Sequence, residues 1–293
     1  MNVRRIAPLL VLALLLLPAG FVDNRATAQK FTVSKSPVRP FEPGEELIYK
    51  AEISRSVLRK IDVATFRFVA TQMEKSGASG ADANTKMPLR FVGDVASDGF
   101  FVRLFNINFH QHIESTVDPD SLGVLKTVKL DEQGKRKRTS EAIFDQGAGK
   151  VTWTENDAND PSRPPRTVTG EFSGLIHDVV SAIYFLRTLH LDSGKTVDVP
   201  ISDSGRVYNL KVQVMERKRV KTVIGKVPVI RVDPQLFGEK GMINAKGQFT
   251  IWMTDDQRHL PVSAQVKTEQ GTFDITLRKV TSPSFASKSP SRD

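Results

Sequence analysis

The chain contains no cysteine in 293 residues. That single absence excludes disulfides, thiolate metal sites and thiol nucleophiles together. Catalytic vocabulary is equally thin: there is no HExxH, no GxSxG, and no Ser–His pairing at a spacing useful to a nucleophile. Beyond the N-terminus no apolar run approaches the roughly 20 residues that a membrane-crossing helix requires. Carboxylates are under-represented, 33 Asp and Glu against 42 Lys and Arg, which leaves a formal net charge of +9. Net charge speaks to solubility and association with anionic matter, not to fold.

What is present begins with a secretory leader. Arg4 and Arg5 precede a leucine-rich run, Ile6–Gly20, and Ala26-Thr27-Ala28 supplies the small-x-small pattern of a cleavage site before Gln29. The reading is a signal peptide over 1–28 and a periplasmic, or else extracellular, mature chain. Removing Arg4, Arg5, Arg25 and Asp23 with it lowers the charge from +9 to +7. Without cysteine there is no lipid-anchoring site, and an exported protein is a poor nucleic-acid binder. An anionic envelope component (phospholipid, lipopolysaccharide or wall polymer) suits the charge better.

The remainder reads as strands. Leu47, Tyr49, Ala51 and Ile53 alternate with charged neighbours over 45–54, and 63–73, 89–96, 113–117, 124–130, 135–144 and 151–154 follow the same two-residue period. Phe100–Ile107 fits either a short helix or a buried strand, and Ser97-Asp98-Gly99 before it favours the helix. NDANDPSRPPR at 156–166 is a polar connection, the best boundary between halves at 41–155 and 170–280. Then Leu175, Ile176, Val179, Val180, Ile183, Leu186 and Leu189 recur at helical steps, predicting one principal helix over 175–191. Strands over 196–201, 207–215, 220–232, 248–253, 261–268 and 272–280 come after it. Tight turns between consecutive strands imply antiparallel pairing. The predicted class is α+β: a strongly curved, mostly antiparallel sheet, a half-open barrel, packed on the principal helix with a second short helix. It occupies 41–280 as one sheet-rich domain after an extended segment over 29–40. A Ser/Pro tail over 281–293 is expected to be disordered.

FEPGEELIYKAEI at 41–53, ESTVDPDSL at 114–122, HDVVSAIYFLRTLHLDSG at 177–194 and IWMTDDQRHLPV at 251–262 occur in an order that resembles the bacterial family of unknown function 3108. The long insertion near Glu74–Met87 departs from that pattern. The resemblance implies an exported, sheet-rich domain, similar to the half-open barrels that carry lipoproteins or lipids across the periplasm. It implies no catalytic residues.

Candidate chemistry gathers at four places. Asp178, Ser181, Tyr184 and Arg187 step along one side of the helix; they form either a polar mouth where Arg187 meets an anionic head group, or a set of bonds that fix the helix to the sheet. Trp252, Asp255, Asp256, Arg258 and Pro261 mark a carboxylate-bearing hairpin, where adjacent carboxylates point apart and so make a poor glycosidase pair. His110-Gln111-His112 places two imidazoles on one strand face, but a metal site needs Glu114, His177 or His259 as well. The basic runs KRKR (135–138) and ERKRVK (216–221) are solvated edges or, if they share a rim, a landing patch for anionic lipid.

Aromatic residues Phe66, Phe68, Phe100, Phe101, Phe105 and Phe109 suit a cavity wall or a packed core. The reading that follows is a non-enzymatic binding or envelope-maintenance protein. Tyr184, Arg187, Trp252, Phe66 and Phe68 would hold an apolar or amphipathic ligand, with no metal, cofactor or catalytic residue. Lipid, lipoprotein or envelope polymer are the expected partners, with peripheral membrane contact. A ligand-free interaction module and an enzyme acting on envelope glycan or lipid are the alternatives.

Overall fold

The computed structural model describes residues 39–283, except 56–57, 75–85, 100–101, 104–105, 240 and 270. The expected leader, most of the extended segment and the tail from 284 lie outside the described residues. So does half of the expected helix over 100–107. There Gly99, Val102 and Arg103 are helical, and Val102 and Asn106 donate their N–H groups to the carbonyls four residues earlier.

Eight strands come first: β1 (Glu45–Arg55), β2 (Leu58–Gln72), β3 (Leu89–Ser97), β4 (Phe109–Val117), β5 (Val124–Gln133), β6 (Arg136–Asp145), β7 (Lys150–Asp157) and β8 (Arg166–Glu171). One helix, α1 (Val179–Thr188), separates them from β9 (Thr196–Asp203), β10 (Arg206–Thr222), β11 (Gly225–Pro234), β12 (Gly247–Thr254), β13 (Pro261–Thr268) and β14 (Gly271–Thr281). All belong to one sheet in the order β8 to β1, then β14 back to β9. Every neighbouring pair of named strands is antiparallel, so the chain meanders out, crosses through α1, and meanders back until β14 zips onto β1.

The α+β expectation is therefore corrected: the chain is mostly β, one open fourteen-stranded sheet carrying a ten-residue helix among the described residues. The helix was over-read because Leu175 and Ile176 continue its periodicity while belonging to extended chain. The Ile176 carbonyl accepts from Val124, and His177 bridges to Ile201 in parallel. Strand content was under-read because β8 carries a single apolar side chain, Val168, and because β10 runs seven residues past its expected end at 215 to its turn at Val223-Ile224.

A sheet of this length stays open by twist, yet its ends meet. β8 and β9 share no ladder, but a Cβ on Gly170 of β8 would lie 2.4 Å from the Gly205 carbonyl oxygen in the β9–β10 turn. The rolled sheet thus surrounds α1. Val180 and Tyr184 pack with β1–β4 and β11–β14, whereas Ala182, Phe185 and Leu186 pack with β9–β12. A helix apolar on most sides is a buried helix, and seven of its ten residues are buried. Gly170→Ala should cost about 1–3 kcal/mol through that backbone clash, read as a lower urea midpoint. An unchanged midpoint would mean that the two ends of the sheet do not touch in solution.

Candidate functional site

Two sets of bonds fix α1 at its ends. At the N-terminus Asp178 accepts from the Ser181 N–H at 2.7 Å while Ser181 Oγ accepts from the Asp178 N–H at 2.9 Å, a reciprocal capping box. The second Asp178 oxygen accepts from Thr127 Oγ1 of β5 at 2.5 Å, so the cap is also a tether to the sheet. At the C-terminus Arg187, only 1% exposed, donates from Nη1 to Glu45 Oε1 at 2.5 Å and from Nη2 to Glu45 Oε2 at 3.0 Å. Its remaining donors meet the Pro40 carbonyl at 2.6 Å and the Arg258 carbonyl at 3.1 Å. Burial works against the guanidinium charge, but the hydrogen bonds and field of Glu45 hold its pKa above the ordinary value. His259 Nδ1 lies 2.9 Å from the Arg187 carbonyl and closes the helix end.

Between α1 and the sheet lies an apolar cavity of about 140 Å³. Tyr49, Phe66, Phe68, Leu210 and Ala264 line it from the strands, and Ala182, Ile183 and Tyr184 from the helix. Tyr184 stacks on Phe91 with ring centroids 4.1 Å apart, and Phe41 packs edge-on against both rings. Tyr49 donates to the Pro261 carbonyl at 2.8 Å, whereas the buried Tyr184 hydroxyl has no hydrogen-bond partner. Burial first, then the field of Glu45, raises the Tyr184 pKa, so the phenol is neutral and a free donor.

A second, polar pocket of about 50 Å³ sits at the other end of the helix, lined by Thr127, Lys129, Asp131, Arg138, Glu155, Asp178 and Asp203. Val179 and Asp203 line both cavities, so the two abut. Burial lowers the Lys129 pKa, with Asp203 and Asp131 opposing; burial raises that of Asp203, with Lys129 opposing.

Of the residues singled out by sequence, Tyr184, Arg187, Phe66 and Phe68 come together around the apolar cavity. Trp252 does not line it; the Lys218 ammonium rests 3.5 Å from the centre of its ring. Phe109 is buried in the core, and Phe100, Phe101 and Phe105 lie outside the described residues. Asp255 pairs with Arg217 at 3.0 Å and Asp256 with Arg258 at 2.7 Å, and neither carboxylate lines either cavity.

The histidines form a surface array. Asp94 lies between His112 Nδ1 (2.8 Å) and His110 Nε2 (3.2 Å), Glu132 completes His110 and Glu114 completes His112. Burial opposes charging of His110, but Glu132 and Asp94 more than offset it and raise its pKa. Among the described residues no group of three or more His, Asp or Glu is disposed to hold a metal ion. His177 stands apart, fully buried and stacked on Phe185 at 4.0 Å.

Sequence reasoning missed the polar pocket. The available signal was the pair Lys129 and Asp131 two residues apart on one strand, but the alternation starting at buried Val124 assigns both to solvent. A bulge intervenes: Val117 pairs with Val124 and Thr116 with Lys126, so Leu125 is an extra residue and the faces swap. Thr127, Lys129 and Asp131 turn inward, and Val128 is left 42% exposed.

The model of the protein family of unknown function DUF3108 matches residues 58–278. The chain belongs to this family. None of the curated proteins matches this DUF3108 chain. Among solved structures it is similar to a β-barrel-like protein of the family of unknown function DUF1849 from Brucella abortus, at 11% identity and a TM-score of 0.48, covering 82% of this chain and 97% of that one. It is also similar to a Bacteroides fragilis protein described as exported with a YmcC-like fold, at 6% identity and a TM-score of 0.31, covering 83% and 98%. No described helix of this DUF3108 chain is long and apolar enough to cross a membrane.

Proposed function

We propose that this DUF3108 protein is an exported binding protein of the cell envelope that holds an apolar or amphipathic ligand between α1 and the sheet. The observation that carries the proposal is the apolar cavity against α1, with the aromatic residues Tyr49, Phe66, Phe68 and Tyr184 in its wall. A well-packed core leaves few voids larger than a water molecule, so an apolar cavity of this size favours an occupant. Size limits that occupant: an apolar cavity of about 150 Å³ takes benzene, so about 140 Å³ takes one ring or a short chain segment. The abutting polar pocket supports an amphipathic ligand, with its polar end toward Lys129 and Asp203. The N-terminal leader supports the exported half of the reading.

Native mass spectrometry of the protein purified from its own periplasm tests both halves. The expected spectrum shows a chain beginning at Gln29 with a small adduct. Fluorobenzene, followed by ¹⁹F NMR, tests the cavity directly. Ala264→Phe fills the space from its wall and should weaken that binding at least about tenfold, by overpacking the cavity. Adduct-free protein together with equal fluorobenzene spectra for both forms would reject the ligand.

A further inference from the structure

The two basic runs have different fates. Arg136 pairs with Asp131, Lys137 with Glu132 at 2.9 Å and Arg138 with Asp157 at 2.6 Å, so the first run is largely neutralised within the fold. The second lies in the β10–β11 hairpin, where no carboxylate occurs between Glu216 and Asp233. Arg217 is held by Asp255 at 3.0 Å and by the Leu191 carbonyl at 2.9 Å, and Lys218 by the Trp252 ring, which anchors the base of the hairpin. Arg219, Lys221 and Lys226 are exposed and have no ion-pair partner among the described residues.

Strand pairing separates the runs further. β5 runs with β1 in direction, so the β5–β6 turn stands at the end of the sheet where β1 finishes. β11 also runs with β1, so the β10–β11 turn stands where β1 begins, at the opposite end. The two runs cannot form one rim. β11 pairs with β12 only over Val229–Val232, so the outer part of the hairpin extends past its neighbour. Its apex is the turn Val223-Ile224, closed by Gly225 at φ +104°, with Val223 55% exposed. Three unpaired cations thus flank an apolar tip.

We propose that the β10–β11 hairpin docks this protein onto an anionic phospholipid bilayer, with Val223 entering the interface and Arg219, Lys221 and Lys226 meeting lipid phosphates. The combination distinguishes a bilayer from a soluble acidic partner. Free cations suit either, but an exposed valine at a projecting turn gains only where an apolar phase lies directly beneath the charges. The inference does not depend on a ligand in the cavity.

Flotation of the full chain with vesicles tests it. Binding should be substantial on phosphatidylcholine vesicles carrying about 30% phosphatidylglycerol, small on phosphatidylcholine alone, and weakened by salt. The triple variant Arg219→Gln/Lys221→Gln/Lys226→Gln should lose on the order of 100-fold in vesicle affinity, at the usual contribution of a cation near such a surface. Val223→Asp should weaken binding with all three cations in place. Lys135→Gln/Lys137→Gln/Arg163→Gln removes the same charge from the opposite end and should bind like the parent. All these positions are exposed, so circular dichroism should be unchanged throughout. Equal binding to both vesicle types, parent-like binding by the hairpin triple, or equal loss by the control triple would overturn the proposal. So would binding to polyglutamate without binding to vesicles.

Discussion

Arg187→Met is expected to destabilise the fold by about 3–5 kcal/mol, the usual effect of leaving one partner of a buried ion pair behind. The pair is buried on both sides, with side-chain exposures of 1% for Arg187 and 7% for Glu45. Methionine fills much of the same volume, so lost packing is a small part of the effect. What remains is a desolvated Glu45 carboxylate without its counter-charge, and the Pro40 and Arg258 carbonyls without their donor. The guanidinium ties four points of the chain together, at 40, 45, 187 and 258, so its loss also frees the segment that seats Phe41 against Phe91 and Tyr184. Lysine cannot reproduce this, because one ammonium does not offer the planar fork that a bidentate carboxylate needs. Removing both charges is the informative comparison. Glu45→Met/Arg187→Met should recover most of the lost stability, since a buried pair often contributes little over apolar residues of similar size. Urea unfolding of the four species gives the coupling energy, and a single Arg187→Met variant within about 1 kcal/mol of the parent would show that the clamp is solvated in solution.

The architecture was legible wherever residue period and burial agree. β1 reads correctly because Leu47, Tyr49, Ala51 and Ile53 are both alternating and buried. β4 was read as starting at Ile113 because its inward face carries Gln111 and Ser115 among Phe109, Ile113 and Val117. The polar Gln111 hid the first two inward positions of a regular buried pattern, and it is accommodated there by a hydrogen bond to Asp131 at 2.9 Å. The class was misjudged because periodicity reports side-chain faces and not backbone hydrogen bonds. Leu175 and Ile176 fall in helical phase yet precede the helix, and the Ile176 carbonyl accepts from Val124 across the chain. Of the site, the aromatic wall and the helix residues could be named from sequence, but their roles could not. Arg187 reads as a ligand-facing cation or as a clamp until Glu45, 142 residues away, is seen to occupy it. The polar pocket depends on the one-residue bulge at Leu125, which no alternation pattern announces.

The same clamp constrains how a ligand would be sensed. Arg187 is engaged by Glu45 and by the Pro40 and Arg258 carbonyls, so its charge is already matched within the fold. A polar atom of an occupant at that end would therefore not serve as the counter-ion of the guanidinium. Specificity there would be modest in charge and stricter in shape.

Acid should weaken this protein before its ion-paired carboxylates titrate, and His177 should be the reason. Its backbone is stitched on both sides, the N–H donating to the Pro200 carbonyl at 3.0 Å and the carbonyl accepting from Ser202 at 2.7 Å. The ring therefore cannot swing out to solvent without unzipping the entry to α1. Burial pushes the imidazole pKa down to about 3, against an ordinary 6.5, with the Leu122 backbone weakly opposing. The unfolded chain then binds a proton between those values that the folded chain refuses. Stability attributable to His177 is complete above about pH 6.5 and is lost as pH falls toward 3, at on the order of 1.4 kcal/mol per unit. Between pH 6.5 and 4.5 the loss should be roughly 2 kcal/mol. That window separates it from the carboxylates whose pKa values are lowered, whereas Asp203, whose pKa burial raises, gains stability on acidification and works against the trend. Glu114, Asp118 and Asp256 have lowered pKa values and act in the same direction only at more acid pH. His110 has a raised pKa, so its contribution is present at low pH and lost as pH rises above the ordinary histidine range. His177→Phe keeps the stack on Phe185 and cannot charge, and His177→Met is a second uncharged variant should the larger ring not fit. Urea midpoints for either should stay nearly level from pH 6.5 to 4.5 while the parent falls. Parallel curves for parent and variants would place the acid-sensitive proton on another group.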